Sequence, residues 1–347
     1  MMNSKERVLN AIHFKKVDRI PCYYLGTDPI NQKLFDSVPE KGFRDTAIDP
    51  FNCDVCYIEP RFIQTSDFQR KKFEYGSIHA AIYDNEGQIL GREEKFPLEG
   101  IDTVEKVLNY DKWPSPDWYE YQIDPQLCEY IRDKAVVAYD MGILLLYAMG
   151  MRGMEEIMID MAINKEIAHA IFTKITEFNL IRIRRFLEAN MGIIDIVGIG
   201  DDVASQRGLM MSLSMWREMI KPYLQKLVNL CREYDVIPYY HGCGGFTELF
   251  DDFIEMGIKC VGKLQPEAQG NNFEDLLRNY GGRICLWGAI DAQHIAVEGN
   301  GADVKKHIRH LLDINGGNKG GFVIGPSHSF TSDTPIENIL SIYHMLK

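Results

Sequence analysis

One glycine separates His241 from Cys243, and two more follow in the stretch His241-Gly242-Cys243-Gly244-Gly245. At the end of a β-strand, residues i and i+2 point the same way, so an imidazole and a thiolate at this spacing are presented together. That pair suits Zn²⁺, which in a catalytic site takes three protein ligands and keeps one position open. His328 is the candidate third ligand from another strand end. Asp201, Asp202 and Glu267 are carboxylates that can fill a fourth position, orient a ligand or handle a proton. The alternative is a buried histidine beside a buried thiol, and the elements around the pair decide between the two.

Those elements form a regular pattern. Short apolar runs at 20–25, 54–58, 135–139, 194–199, 236–240, 260–264, 283–287 and 321–324 have the length and composition of buried parallel strands. Helical stretches separate many of them: 164–190, 214–234 interrupted at Pro222, 246–256 ending at Gly257, 273–280 and 302–314. Alternating strand and helix predicts a parallel sheet with right-handed crossovers. Eight strands favour α/β architecture closed as a single (β/α)₈ TIM barrel spanning residues 1–347, with an open doubly wound sheet as the alternative. Residues 72–97 interrupt the pattern and read as a β-hairpin insertion turning at 83–87.

In such a barrel catalytic groups sit at the carboxyl ends of the strands. Five consecutive candidate strands end in polar clusters: Gly200-Asp201-Asp202, His241-Gly242-Cys243, Gln265-Pro266-Glu267, Gly288 to Asp291, and Gly325-Pro326-Ser327-His328. From these Asp201, Asp202, Glu267 and His328 are expected to be catalytic. Gln265 and Asp291 are expected to bind substrate, together with Arg207, which is near enough in sequence to offset the Asp201-Asp202 repulsion. Asp54 joins them because a charge within a strand needs a partner. Aspartates such as these also serve as helix caps, and that is the competing reading for Asp201, Asp202 and Asp291.

Composition excludes several classes. The net charge of −12 disfavours nucleic acid as a partner. The N-terminal residues carry charges throughout and resemble no secretory signal. The longest apolar stretch, 141–151, is about half of a membrane span. Eight cysteines scattered through a chain with no such signal argue against disulfides and for a cytoplasmic location. Cys53 and Cys56 form a lone CxxC in a strand-like context and are expected to be buried thiols.

Longer motifs carry a resemblance. Lys5 to Ala11 with Asp18-Arg19-Ile20-Pro21, Met211-Ser212 with Trp216-Arg217 and Lys221-Pro222-Tyr223, Tyr280-Gly281 with Gly288 to Asp291, and Pro326-Ser327-His328 with Asp333-Thr334-Pro335 and Glu337-Asn338 together resemble the uroporphyrinogen decarboxylase superfamily. The resemblance implies a (β/α)₈ barrel with a deep cleft at the strand carboxyl ends. Decarboxylases of that superfamily carry paired arginines after the first strand, where this chain reads Cys22 to Asp28 without arginine. His241-Gly242-Cys243-Gly244 is instead similar to the zinc signature of the superfamily's corrinoid-dependent methyltransferases. In the coenzyme-M enzymes of that branch a cysteine near the chain end is the third ligand, and His328 occupies the matching place here.

The branch implies a zinc-dependent methyltransferase. It would move a methyl group between a small O-, N- or S-methylated compound and a corrinoid (cobalamin) carried by a partner protein. His241, Cys243 and His328 would bind the metal, and a homodimer is implied by analogy. The alternative within the superfamily is metal-free uroporphyrinogen decarboxylation using Asp54 and His328. A non-catalytic corrinoid-binding barrel is a third reading, which the polar strand ends disfavour.

Overall fold

The computed structural model describes residues 2–37, 51–63, 82–83, 89–91, 96–315 and 319–346. Its centre is a curled sheet of seven parallel strands: β1 (Val55–Ile58), β2 (Ala135–Gly142), β3 (Ile196–Gly200), β4 (Ile237–His241), β5 (Cys260–Leu264), β6 (Cys285–Ile290) and β7 (Phe322–Pro326). They neighbour one another in chain order, as successive right-handed crossovers require.

The eighth expected strand, 20–25, is not a regular strand, and this corrects the count. It is a short bridging segment: Tyr23 donates to the Ile324 carbonyl at 3.0 Å, Ile324 donates to Pro21 at 2.9 Å, and Asp54 donates to Cys22 at 2.9 Å. Proline at 21 has no amide hydrogen and cannot sustain a longer ladder, yet three bonds suffice to join β7 to β1. The architecture is TIM-barrel-like, mixed α/β.

Alternation along the strands fills the barrel. Val55, Ala135, Val137, Ile196, Tyr239, Cys260, Cys285, Trp287 and Val323 pack inward with Tyr23, and the helix Ser4–Ile12 closes the amino-terminal end with Val8, Ala11 and Ile12. A larger apolar layer lies between the strands and the outer helices. Those helices follow the sequence signals closely. Lys165–Ala189 is one helix, whereas the expected helix at 214–234 is two, Leu213–Met219 and Lys221–Glu233, broken where Pro222 removes an amide donor. Gly257 ends Phe250–Met256 in the left-handed conformation, φ 95°. Of the hairpin expected at 72–97, the antiparallel pairs Ile82↔Gly91 and Tyr83↔Ile89 are present, while its turn and most of its flanks lie outside the described residues. No helix among the described residues is long and apolar enough to cross a membrane.

Candidate metal centre

Three adjacent strands build the site. His241, the last residue of β4, pairs with Gly200 of β3 on one side and Gly262 of β5 on the other. The loop after β3 therefore sets Asp202 beside the loop after β4, and the Cys243 amide donates to the Asp202 carboxylate at 2.9 Å. The ligand atoms of Asp202, His241 and Cys243 all lie within 4.8 Å of one another, each residue half-buried. One nitrogen, one sulfur and one oxygen at the mouth of a barrel form a donor set that zinc accepts.

The surroundings hold these side chains in place. His241 Nδ1 lies 3.1 Å from the Gly262 carbonyl and 3.3 Å from the Lys263 amide nitrogen. Donation from Nδ1 to the carbonyl leaves Nε2 as the ligand atom, the usual arrangement for a metal-binding histidine. Burial, then the Lys263 ammonium, lowers the imidazole's pKa and keeps it neutral. Burial and the Asp202 carboxylate push the Cys243 thiol up to about 12, so a metal ion must displace its proton on binding.

Gln265 and Asn271 brace the glycine loop. Gln265 Oε1 accepts from the Gly244 amide and from Gln206 Nε2, both at 2.7 Å, and Asn271 Nδ2 donates to the carbonyls of Gly244 and Gln265 at 3.0 Å. Gly244 has φ +80° and passes so near the hairpin at 204–209 that a Cβ would meet the Ser205 carbonyl oxygen at 2.4 Å. Only glycine fits there.

The expected site residues separate into two groups. Asp202, His241 and Cys243 come together. His328 is close enough for the two histidines to influence each other electrostatically, but it stands outside the ligand set, exposed at the mouth. The side chain that completes the set is Asp202. His328→Ala is accordingly expected to retain zinc at the wild-type stoichiometry, checked by elemental analysis; loss of the metal would make His328 a ligand after all. Glu267 is also exposed at the mouth, and burial of its carboxyl together with the Asp291 charge raises its pKa.

The structure gives the remaining expected residues other partners or places them apart from this set. Asp201 turns away from the cleft and caps the helix Leu145–Arg152, accepting from the amides of Leu144 at 3.1 Å, Leu145, and Leu146 at 2.8 Å. Burial raises its carboxyl to about 7 despite those donors. Asp291 caps the turn that follows β6, accepting from the Gln293 and His294 amides at 2.9 Å and meeting the His294 ring. Gln265 braces the loop and is taken up by it. Arg207 sits exposed at the hairpin tip, while the Asp201 and Asp202 charges are met by backbone amides. Asp54 lies at the opposite end of the barrel. It is fully buried beneath β1 against Arg7 Nη1 at 2.6 Å, Arg19 Nη1 at 2.6 Å, Arg19 Nη2 at 2.9 Å and the Cys22 amide at 2.9 Å.

Sequence reasoning missed Lys263. Alternation puts residues 260, 262 and 264 of β5 inside and 263 outside. The β5–β6 register shifts between Val261 and Leu264, and this irregularity turns the lysine inward, leaving it 3% exposed. Burial lowers its pKa to about 8, against the pull of Asp140. A signal was available: a glycine followed by lysine inside an apolar run marks a bulge rather than a plain strand.

Comparison with known proteins shows the family and the fold. Residues 143–347 match the family model described as uroporphyrinogen decarboxylase (URO-D). The chain belongs to the URO-D family. The match begins just after β2 and carries Asp202, His241, Cys243, Lys263 and His328. Among solved structures, a methyltransferase from Methanosarcina mazei superposes with a TM-score of 0.64 at 18% identity, covering 100% of this chain and 98% of the other. At that identity the likeness is one of fold. A D-tagatose 3-epimerase-like protein matches far less well, with a TM-score of 0.34 and 13% identity over 64% of this chain and 82% of that one. No curated protein matches the sequence.

Proposed function

We propose that this URO-D family member is a zinc-dependent methyltransferase, moving a methyl group between a small O-, N- or S-methylated compound and a corrinoid carried by a partner protein. The observation that carries this reading is the convergence of Asp202, His241 and Cys243 at the strand carboxyl ends, their ligand atoms within 4.8 Å. The solved relative described as a methyltransferase from Methanosarcina mazei, similar along the whole chain, supports it.

His241 and Cys243 would hold the metal, with Asp202 as the third ligand. Bound zinc would supply Lewis acidity at the methyl-bearing heteroatom. The Gly262 carbonyl fixes the ring of His241, and Gln265 with Asn271 fixes the loop bearing Cys243, so the donors are set before a ligand arrives. Glu267 and His328, exposed at the mouth, would orient the substrate or carry a proton.

Decarboxylation, the activity in the family's description, fits the geometry less well. The carboxylate that reading would use, Asp54, is sealed between two arginines at the far end of the barrel. The test is a methyl-transfer assay with zinc-loaded protein, free cobalamin in its reduced state, and a panel of aryl methyl ethers, methylamines and thioethers. Methylcobalamin should form with at least one donor and only in the presence of zinc. A rate independent of zinc, or turnover of uroporphyrinogen instead, would overturn the reading.

A further inference from the structure

The protein interior beside the candidate metal centre holds a cation that the chemistry above does not use. Lys263 Nζ donates to the Tyr139 hydroxyl and stands 4.3 Å from the Tyr139 ring centroid and 5.8 Å from that of Tyr57. An ammonium has three protons to give. Among the described residues Tyr139 is its hydrogen-bond acceptor, and it forms no ion pair with a carboxylate. Asp140, on β2, acts on it electrostatically without pairing.

The same interior contains polar atoms without partners. The Tyr57 hydroxyl is buried and makes no hydrogen bond among the described residues, and the same holds for Tyr239. The Tyr57 and Tyr139 rings meet edge-on, centroids 5.3 Å apart, and the ammonium stands 5.8 Å from the centroid of the Tyr57 ring that carries the unpaired hydroxyl. A buried charge with spare protons beside an unpaired hydroxyl is costly unless a ligand completes it. The strand is irregular at the residue that directs the lysine inward, and a leucine or methionine there would avoid the cost.

We propose that Lys263 and the Tyr57 hydroxyl bind a carboxylate on the substrate, so that the compound taken by the Asp202–His241–Cys243 centre is a small methylated carboxylic acid. This rests on the proposed methyl-transfer reading for the substrate's other end, but the subsite itself does not require the metal. It excludes neutral ethers and methylammonium ions as the preferred substrates, because neither offers the ammonium an anionic acceptor.

Calorimetric titration with methoxyacetate and its neutral isostere 2-methoxyacetamide tests the proposal on the full chain, with and without zinc. One charge-assisted bond in a buried site corresponds to roughly a ten- to hundredfold preference for methoxyacetate. Lys263→Met should bring the two ligands to parity and Lys263→Arg should keep the preference, with thermal unfolding confirming that each variant is folded. Tyr57→Phe, which removes the hydroxyl alone, should reduce the preference by a smaller factor and provides a second route if Lys263→Met does not fold. The proposal is overturned if methoxyacetate does not bind, if the wild type shows no preference, or if the preference survives in Lys263→Met. A preference seen only with zinc and unaffected at Lys263 would place the carboxylate on the metal, and also overturns it. A protein that takes up no zinc yet shows the lysine-dependent preference would refute the metal reading and leave the subsite standing.

Discussion

Replacing Cys243 by serine or His241 by alanine is expected to strip the protein of zinc and abolish methyl transfer while leaving the fold intact. Both side chains are half-buried at the end of β4 and neither belongs to the apolar layers, so their loss removes donors rather than core. Spread over four positions, structural zinc affinities correspond to roughly 3 kcal/mol per ligand, or about a hundredfold or more in affinity for each one lost. Serine keeps the size of cysteine but offers a hydroxyl that does not ionise at neutral pH, whereas a bound metal ion would displace the Cys243 proton. Elemental analysis after dialysis should find zinc near wild-type levels in His328→Ala and none in Cys243→Ser. Retention of zinc and activity by both His241→Ala and Cys243→Ser would remove the basis of the metal reading.

Asp54→Ala is the substitution expected to cost most in stability. The carboxylate has no exposed surface and accepts from both Arg7 and Arg19 as well as from the Cys22 amide. Removing it leaves the Arg7 guanidinium, itself 5% exposed, with Asp18 as its remaining carboxylate, and it unties Cys22 from the segment that closes the barrel. Breaking one member of a buried ion pair costs roughly 3–5 kcal/mol, which in a chain of this size lowers the melting temperature by roughly 5–10 °C. The Arg19 contribution belongs at the low end, since that side chain is 31% exposed. Differential scanning calorimetry measures the shift, and the methyl-transfer rate of the folded fraction should stay near that of the wild type. An unchanged melting temperature together with lost activity would return Asp54 to the active site, as decarboxylation requires.

How far the site could be read from the sequence depends on which physical signal each residue leaves. The strand pattern was legible because buried parallel strands are short apolar runs, and the position of Cys260–Leu264 was read to the residue. His241 and Cys243 stood out because two soft donors at a strand end have few other uses. The roles of Asp201 and Asp202 were not separable, since adjacent aspartates look alike in sequence. The structure separates them: one turns to the amides of Leu144 to Leu146, the other to Cys243. Asp54 misled because its partners, Arg7 and Arg19, lie 47 and 35 residues away, and no local pattern reveals such a pairing. Lys263 was hidden by the alternation rule itself, which a single register shift inverts. Residues 20–25 read as a full strand on composition, yet Pro21 and the bond between the Asp54 carboxylate and the Cys22 amide reduce it to a bridge.

Asp202, His241 and Cys243 are proposed to hold a zinc ion at the barrel mouth. X-ray absorption at the zinc edge on purified, zinc-loaded protein tests it most directly, with the metal content measured on the same sample. The expected result is one zinc per chain with a single sulfur at about 2.3 Å and nitrogen or oxygen donors at about 2.0–2.2 Å, the sulfur vanishing in Cys243→Ser. A protein that binds no zinc, or binds it with oxygen and nitrogen donors alone, would contradict the claim.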